Sequence, residues 1–135
     1  MSCKVSFGVN VTVSILNIFY LPEILEKLEN FFPASALHLT TVHEPKFYSV
    51  VNIQQDCKKI IEKKLTASRY QEKLMGISTY MMSQEYNPAL WKKFVVWTEK
   101  KDKYRKVDIQ QYLPEYYEII GPEYKAALGD FQPVV

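Results

Sequence analysis

The amino-acid sequence predicts a mixed α/β fold with about two parallel strands followed by about four helices. Three observations support this. Residues 5–15 alternate large apolar with small polar side chains, a helical segment separates them from a second apolar run at residues 37–42, and helical spacing dominates from residue 53 onward. A chain of 135 residues fits one domain with one core. We therefore expect residues 1–52 to form a strand–helix–strand unit, and residues 53–135 to form a helical region that packs on it within one compact domain.

The first predicted strand has two different faces. The large face carries Val5, Phe7, Val9, Val11, Val13 and Ile15, and the small face carries Ser6, Gly8, Asn10, Thr12 and Ser14. Such strict alternation is typical of a strand with one buried face. A face in open water usually carries Lys, Glu or Arg, and this one carries none. We favour a face that is enclosed but hydrated, inside a larger sheet than this chain supplies; a strand on an open antiparallel surface is the alternative.

A helix and a second strand follow the first. Pro22 is predicted to open the helix and Pro33 to end it. Its apolar residues recur at helical spacing: Ile24, Leu25, Leu28, Phe31 and Phe32. Strand, helix and strand within so short a segment predict a parallel pair with a right-handed crossover. Residues 47–51 are predicted as a further short extended piece.

The remaining segments are predicted to be helical. The first has the apolar stripe Ile53, Cys57, Ile60, Ile61 and Leu65, and the second has Tyr70, Leu74, Ile77 and Met81, with Thr66 or Ser68 as its cap. Asn87 caps a third helix with Pro88 at its first position, and its predicted buried residues are Leu90, Phe94 and Trp97. After a charged run at 99–106, Asp108 caps a short turn through Tyr112. The last helix is predicted over residues 114–120, ended by Gly121 and Pro122.

Composition excludes several classes of protein. The excess of 17 Lys and Arg over 15 Asp and Glu gives no overall argument for nucleic acid, and no apolar run is long enough to span a membrane. Cys3 and Cys57 allow one disulfide, but reduced thiols and a cytoplasmic location are expected. Two histidines are too few to favour a zinc site. We find no Gly-rich phosphate loop and no spacing typical of a catalytic triad.

The best candidate site lies at the carboxyl ends of the two strands. Ligands of open α/β sheets bind there, and the first strand carries Asn10, Thr12, Ser14 and Asn17 on its polar face and exit. Their hydroxyl and amide groups can bind ribose hydroxyls or a carboxylate. The alternative is a hydrogen-bonded turn in which Asn17 only redirects the chain.

Two other loci carry polar or charged groups. His43 follows the second strand, where it could contact a substrate or transfer a proton, although no nucleophile accompanies it. Residues 97–106 combine Trp97 with several cations. Interleaved aromatic and cationic residues can bind nucleic acid, but a solvated helix end is favoured here because Glu99 and Asp102 dilute the charge.

The chain resembles the C-terminal portion of the twitch-domain radical S-adenosylmethionine (SAM) proteins in three segments, VSFGVNVTVSILNIFYLPEILEKL, LHLTTVHEPKFYSV and LWKKFVVWTEKKDKYRKVDIQQYLPEY. The matching positions are Thr12, Val13, Ser14 and Asn17 in the first, His43 and Pro45 in the second, and Asp102, Arg105, Pro114 and Glu115 in the third. The resemblance covers nearly the whole chain.

The resemblance implies a partial (β/α) barrel that binds a [4Fe–4S] cluster and SAM at its strand ends. Thr12, Ser14 and Asn17 would then contact the cofactor, and Asn10 and His43 the substrate. The three-cysteine motif that holds the cluster in the family is not present, and Cys3 and Cys57 do not match it. We therefore expect this chain to hold neither cofactor alone.

Two hypotheses follow. In the first, the chain is the C-terminal part of a radical SAM enzyme. It supplies the distal side of the cofactor and substrate site, is inactive alone, and has an N-terminal barrel half as its partner. In the second, it is a non-enzymatic interaction module that associates with itself or a partner through a strand edge and aromatic helices. Whether the chain is an enzyme stays open at this point, and nucleic-acid binding is the weakest of the readings.

Overall fold

The computed structural model describes residues 8–129, which form two strands and six α-helices. The strands are β1 (Val9–Val13) and β2 (Leu37–Thr41). The helices are α1 (Leu21–Glu29), α2 (Gln55–Ala67), α3 (Gln71–Met82), α4 (Pro88–Arg105), α5 (Ile109–Tyr112) and α6 (Pro114–Gly129). The predicted α/β class is confirmed. Of the predicted first strand, residues 5–7 lie outside the described residues, as does Cys3. No helix in the described range is both long and apolar enough to cross a bilayer.

β1 and β2 pair in parallel, as predicted, with Val9 beside Leu37 and Val13 beside Thr41. The large face of the pair packs on the helices, where Val13 and Leu37 are buried. β1 ends before Ile15, its predicted last residue, because the chain turns there. Ile15 is nevertheless fully buried, and its N–H donates to the carbonyl of Tyr48 (3.0 Å).

α1 begins near the predicted position but ends at Glu29, before its predicted end at Pro33. Pro22 lies in its first turn, where a missing N–H costs little. Leu25 is fully buried, but Phe31 is 80% exposed, so its predicted place on the buried stripe is wrong. The helix has already ended at Glu29, and helical spacing no longer determines where Phe31 points.

The extended piece predicted at residues 47–51 is also wrong. Two short 3-10 turns occupy Lys46–Tyr48 and Val50–Asn52. The Asn52 side-chain amide donates to the carbonyl of Lys46 (2.8 Å) and closes the segment on itself. Val50 and Val51 are buried, which explains why an apolar run here looks like a strand in the sequence.

Two predicted buried stripes, those of α2 and α4, are mostly confirmed but each includes one residue that is exposed. Ile60 is 49% exposed, whereas Lys58 is fully buried and its ammonium donates to the carbonyl of Gln84 (2.7 Å). On α4, Trp97 is 46% exposed, and Trp91 takes its place in the core. Neighbouring residues of one helix often satisfy two alternative i, i+3/i+4, i+7 stripes, and spacing alone does not choose between them.

The predicted caps of α4 and α5 are confirmed. The Asn87 side chain accepts a hydrogen bond from the N–H of Leu90 (3.1 Å), and the Asp108 carboxylate accepts one from the N–H of Gln110 (2.9 Å). Both satisfy a donor that a helix start leaves without an intrahelical partner.

The link between α2 and α3 uses one of the two predicted capping residues. The Ser68 hydroxyl accepts from the N–H of Tyr70 (3.0 Å), just before α3 begins, whereas the Thr66 hydroxyl donates back to the carbonyl of Lys63 (3.2 Å). Tyr70 itself occupies the N-cap position without a side-chain capping bond. Ser68 therefore shapes the turn and does not cap the helix.

α6 does not stop at Gly121 and Pro122, as predicted, but continues to Gly129. Pro122 lacks only one backbone donor, and contacts beyond it compensate. Tyr124 is buried and donates to the Glu99 carboxylate on α4 (3.2 Å), and the Trp91 indole donates to a carbonyl of the same α6 turn (3.2 Å). Packing on α4 therefore overrides the helix-breaking tendency of the Gly–Pro pair.

Candidate functional site

One face of the two-stranded sheet is uncovered and polar. Asn10 and Thr12 of β1 lie beside His38 and Thr40 of β2 in register, so the four side chains share this face, and all four are exposed. The Thr40 hydroxyl donates to the Asn10 side-chain oxygen (3.2 Å). The enclosed face expected from the sequence is thus open to solvent in the chain alone. The surface offers amide, hydroxyl and imidazole groups, and neither Asn nor Thr adds a formal charge to it.

Ser14 and Asn17 form a hydrogen-bonded turn at the carboxyl end of β1. The Asn17 oxygen accepts from the Ser14 N–H (2.8 Å), and its amide donates to the carbonyl of Thr12 (2.8 Å). The Ser14 hydroxyl accepts from the N–H of Leu16 (3.2 Å). The Asn17 side chain therefore redirects the chain, which is the alternative that the sequence left open for it.

His43 lies at the corresponding end of β2 and joins a chain of hydrogen bonds. Its Nε2 lies 3.3 Å from the Thr41 hydroxyl and its Nδ1 lies 3.1 Å from the Tyr80 hydroxyl. Tyr80 also lies 3.4 Å from the hydroxyl of Ser49, which is buried. A tautomer with Nε2 protonated donates to Thr41 and accepts from Tyr80. Tyr80 thus gives His43 the hydrogen-bond partner that a proton-transfer group needs.

A groove of about 770 Å³ runs between β2 and α3, with His43 and Tyr80 in its wall. Lys73 lies in the groove, where its ammonium donates to the carbonyls of Ala34 (3.0 Å) and Leu37 (2.6 Å). Within the part of the chain that the structure describes, no acidic side chain lines the groove. Tyr80 and Lys73 were not singled out in the sequence, since helical spacing marks them only as residues at the border of the α3 stripe.

The five predicted contact residues fall into three places. Asn10 and Thr12 share the uncovered face, Ser14 and Asn17 share one turn, and His43 lies at the neighbouring strand end without a hydrogen bond to the other four within residues 8–129. His38 and Thr40 complete the face and were missed. The period-two run of the second strand was the signal that could have placed them there.

Cys57, the cysteine within the described residues, does not fit a ligand of an iron–sulfur cluster. Cys57 is buried in the core, its thiol lies 3.5 Å from the carbonyl of Ile119, and burial raises its pKa to about 11. Cluster ligands are thiolates, which this environment disfavours. In the described part of the chain, no group of three His, Cys, Asp or Glu side chains could hold a metal ion.

The basic stretch at residues 97–106 does not present one continuous surface. Asp102 is buried, and its carboxylate accepts from the N–H of Ile109 (3.0 Å) and from the Tyr112 hydroxyl (2.9 Å). Lys101 donates to the Tyr48 hydroxyl (3.3 Å). These side chains connect α4 to its neighbours.

Comparison with protein-family models, with curated proteins and with solved structures finds no match to this chain.

Proposed function

We propose that this chain is the C-terminal part of a radical SAM protein. It supplies the distal side of the cofactor and substrate site, and a separate barrel half supplies the iron–sulfur cluster. The observation that carries the proposal is the uncovered polar face of the sheet, formed by Asn10, Thr12, His38 and Thr40.

This face has the composition of a barrel interior. Its side chains are small or uncharged, whereas exposed strand faces usually carry Lys, Glu or Arg. Two parallel strands rarely form a sheet by themselves, and purely parallel sheets are normally covered on both sides. Closure of the sheet into a barrel by further strands would enclose this face and convert it into a hydrated wall.

The strand ends support the same reading. Ligands of parallel sheets bind beyond the carboxyl ends of the strands, where this chain places the Ser14–Asn17 turn and His43. Under the proposal Asn17 acts as a positioning residue, because its carboxamide already holds the turn. The hydroxyls of Thr12 and Thr40, both on exposed residues, are the groups that would face a bound nucleoside.

The test uses a complex of this chain with a polypeptide that carries a three-cysteine barrel half. Thr12→Val and Thr40→Val remove hydroxyls with little change of shape, so we expect weaker SAM binding to the complex with unchanged folding of the chain. Thr66→Val, at an exposed hydroxyl on α2, is the matched control. The chain alone, treated with iron and sulfide, should form no stoichiometric cluster. A redox-active [4Fe–4S] cluster on the chain alone would contradict the proposal, as would failure of the two polypeptides to associate.

The interaction module is the second candidate, and the free edge of β2 favours it. The Val42 N–H donates to the carbonyl of Val13 (2.9 Å). Successive residues of a strand direct their backbone groups to opposite edges, so the N–H and C=O groups of Leu39 and Thr41 point away from β1. An extended segment could pair there, above the groove. A dimer in solution that buries this edge, together with a melting temperature unaffected by SAM, would favour this candidate over the first.

A further inference from the structure

A second concave surface lies on the outer side of α4, and it shares no residue with the proposed site. We call it the Trp97 groove. It has a volume of about 480 Å³ and is lined by Phe47, Ala89, Lys92, Lys93, Val96, Trp97 and Lys100. Its α4 residues recur at i, i+3, i+4, i+7, i+8 and i+11, which is the spacing of one continuous helix face. This face is opposite the residues that α4 buries in the core.

The floor of the groove is apolar and supported by the core. The Trp97 and Phe47 rings lie 6.4 Å apart at an angle of 55°. Phe47 packs on Tyr48 (4.8 Å), which meets the buried Phe94 edge to face (6.2 Å). Large aromatic residues held this way are typical of the centres of protein interfaces, because little conformational freedom is lost on binding.

The rim of the groove is cationic. Lys92, Lys93 and Lys100 line it, and no acidic side chain does so among residues 8–129. Lys93 and Lys100 are seven residues apart, so they lie two turns apart on the same helix face as Trp97, which is between them. An apolar floor with cations at both ends matches a segment that has an apolar side chain flanked by carboxylates.

The shape of the groove favours such a segment over other anionic partners. A nucleic-acid base stacks on an open, flat ring face, whereas the 55° angle between Trp97 and Phe47 makes a corner. Membrane surfaces are met by protruding apolar side chains, and this surface is concave. An aliphatic or aromatic side chain fits a corner of this kind.

We propose that the Trp97 groove binds a short acidic amphipathic segment of another protein. The apolar anchor of that segment packs against Trp97 and Phe47, and its carboxylates pair with Lys93 and Lys100.

The test is a titration of the full chain with an amphipathic helical peptide of about four turns, with Leu on one face and Glu on the other. Trp97 is half-exposed and Trp91 is buried, so tryptophan fluorescence reports on the groove. We expect a saturable blue shift, which Trp97→Phe abolishes. Lys93→Glu with Lys100→Glu should weaken binding roughly ten-fold, since two exposed charge pairs turn from attraction to repulsion.

Three controls make the result specific. Lys59→Glu with Lys63→Glu, at exposed positions on α2, should leave the affinity unchanged. A peptide with Lys in place of Glu should bind only the double variant in which the groove charges are reversed. The proposal is overturned if charge reversal in the groove has no effect on the acidic peptide. It is equally overturned if a thymidine oligonucleotide or anionic phosphatidylserine vesicles produce the blue shift while the peptide does not.

Discussion

The Asn17 carboxamide binds the outer edge of β1 at the two groups where a neighbouring strand would bind. It accepts from the Ser14 N–H and donates to the Thr12 carbonyl, both at 2.8 Å. On β2, Lys73 binds the outward carbonyl of Leu37 in a similar way (2.6 Å). Side chains that satisfy edge groups prevent uncontrolled strand pairing. Each edge of this small sheet thus has a side chain bound at one of its ends.

Asn17→Ala should lower the free energy of unfolding by about 1–2 kcal/mol, because two backbone groups lose their partner. Asn17→Asp keeps the acceptor and loses the donor, so its effect should be intermediate. Asn10→Ala is the control, since Asn10 is exposed and its side chain accepts a single hydrogen bond, from Thr40, among the described residues. Urea denaturation measures all three. A loss for Asn17→Ala no larger than for Asn10→Ala would show that the turn does not depend on this side chain.

Tyr116 is fully buried, and its hydroxyl is the one buried side-chain polar atom without a hydrogen-bond partner in the described part of the chain. A buried hydroxyl without a partner costs on the order of 1–3 kcal/mol. Tyr116→Phe should therefore raise the melting temperature and the free energy of unfolding by about 1 kcal/mol. Tyr124→Phe, on the same helix, removes a hydroxyl that donates to Glu99 and should destabilise the protein. Equal losses in both variants would contradict the assignment.

At the scale of the element, Asp102 organises the junction of α4 and α5. α4 ends at Arg105 and Lys106 caps it in a left-handed conformation (φ 58°), and the Asp102 carbonyl accepts from the N–H of Val107 (2.9 Å). The Asp102 carboxylate then binds Ile109 and Tyr112 of the next helix. Burial raises the pKa of Tyr112, and its hydrogen bond to Asp102 raises it further.

Asp102→Ala should lower the free energy of unfolding by about 2–3 kcal/mol, because it leaves the buried N–H of Ile109 and the partly exposed Tyr112 hydroxyl without a charged acceptor. Asp102→Asn should recover part of the loss. Asp108→Ala removes a single exposed cap and should cost about 1 kcal/mol or less. The comparison is made by chemical denaturation, with amide hydrogen exchange of α5 as a local readout. If Asp102→Ala costs no more than Asp108→Ala, the junction does not depend on the buried carboxylate.

The elements differ in how far the sequence predicts them. Local rules were sufficient for the parallel pair and for the caps at Asn87 and Asp108. Pro122 was misjudged because a helix breaker is a local signal, whereas α6 is held by Tyr124 and other contacts with α4. Trp97 was misjudged because two stripes fit the same helix. Tyr80 lines the groove between β2 and α3, and its place there depends on how α3 packs against β2. No local sequence pattern encodes that packing.

At the scale of the whole molecule, buried titratable groups make stability depend on alkaline pH. Burial raises the pKa of Cys57 from 9.0 to about 11. Burial also raises the pKa values of Tyr116 and Tyr124, and lowers that of Lys58. An acid with a raised pKa in the folded state favours folding until the pH exceeds its unfolded value, whereas a base with a lowered pKa opposes folding until it loses its proton. The two effects change the free energy of unfolding with pH in opposite directions, so each group is tested with a variant of its own.

Cys57 offers the cleanest isolation. Below about pH 9 the thiol is protonated in both states, and its contribution is complete; between pH 9 and about pH 11 only the unfolded chain loses the proton, so the contribution disappears as the pH rises. We compare Cys3→Ser with Cys3→Ser/Cys57→Ala by urea denaturation across this range. The loss in free energy of unfolding that Cys57→Ala causes should shrink by about 2 kcal/mol between about pH 8 and about pH 11. In the Cys3→Ser protein the remaining thiol should also resist alkylation until the chain unfolds. A deficit that is constant with pH, or a thiol that reacts in the folded protein, would place Cys57 in contact with water and not in the core.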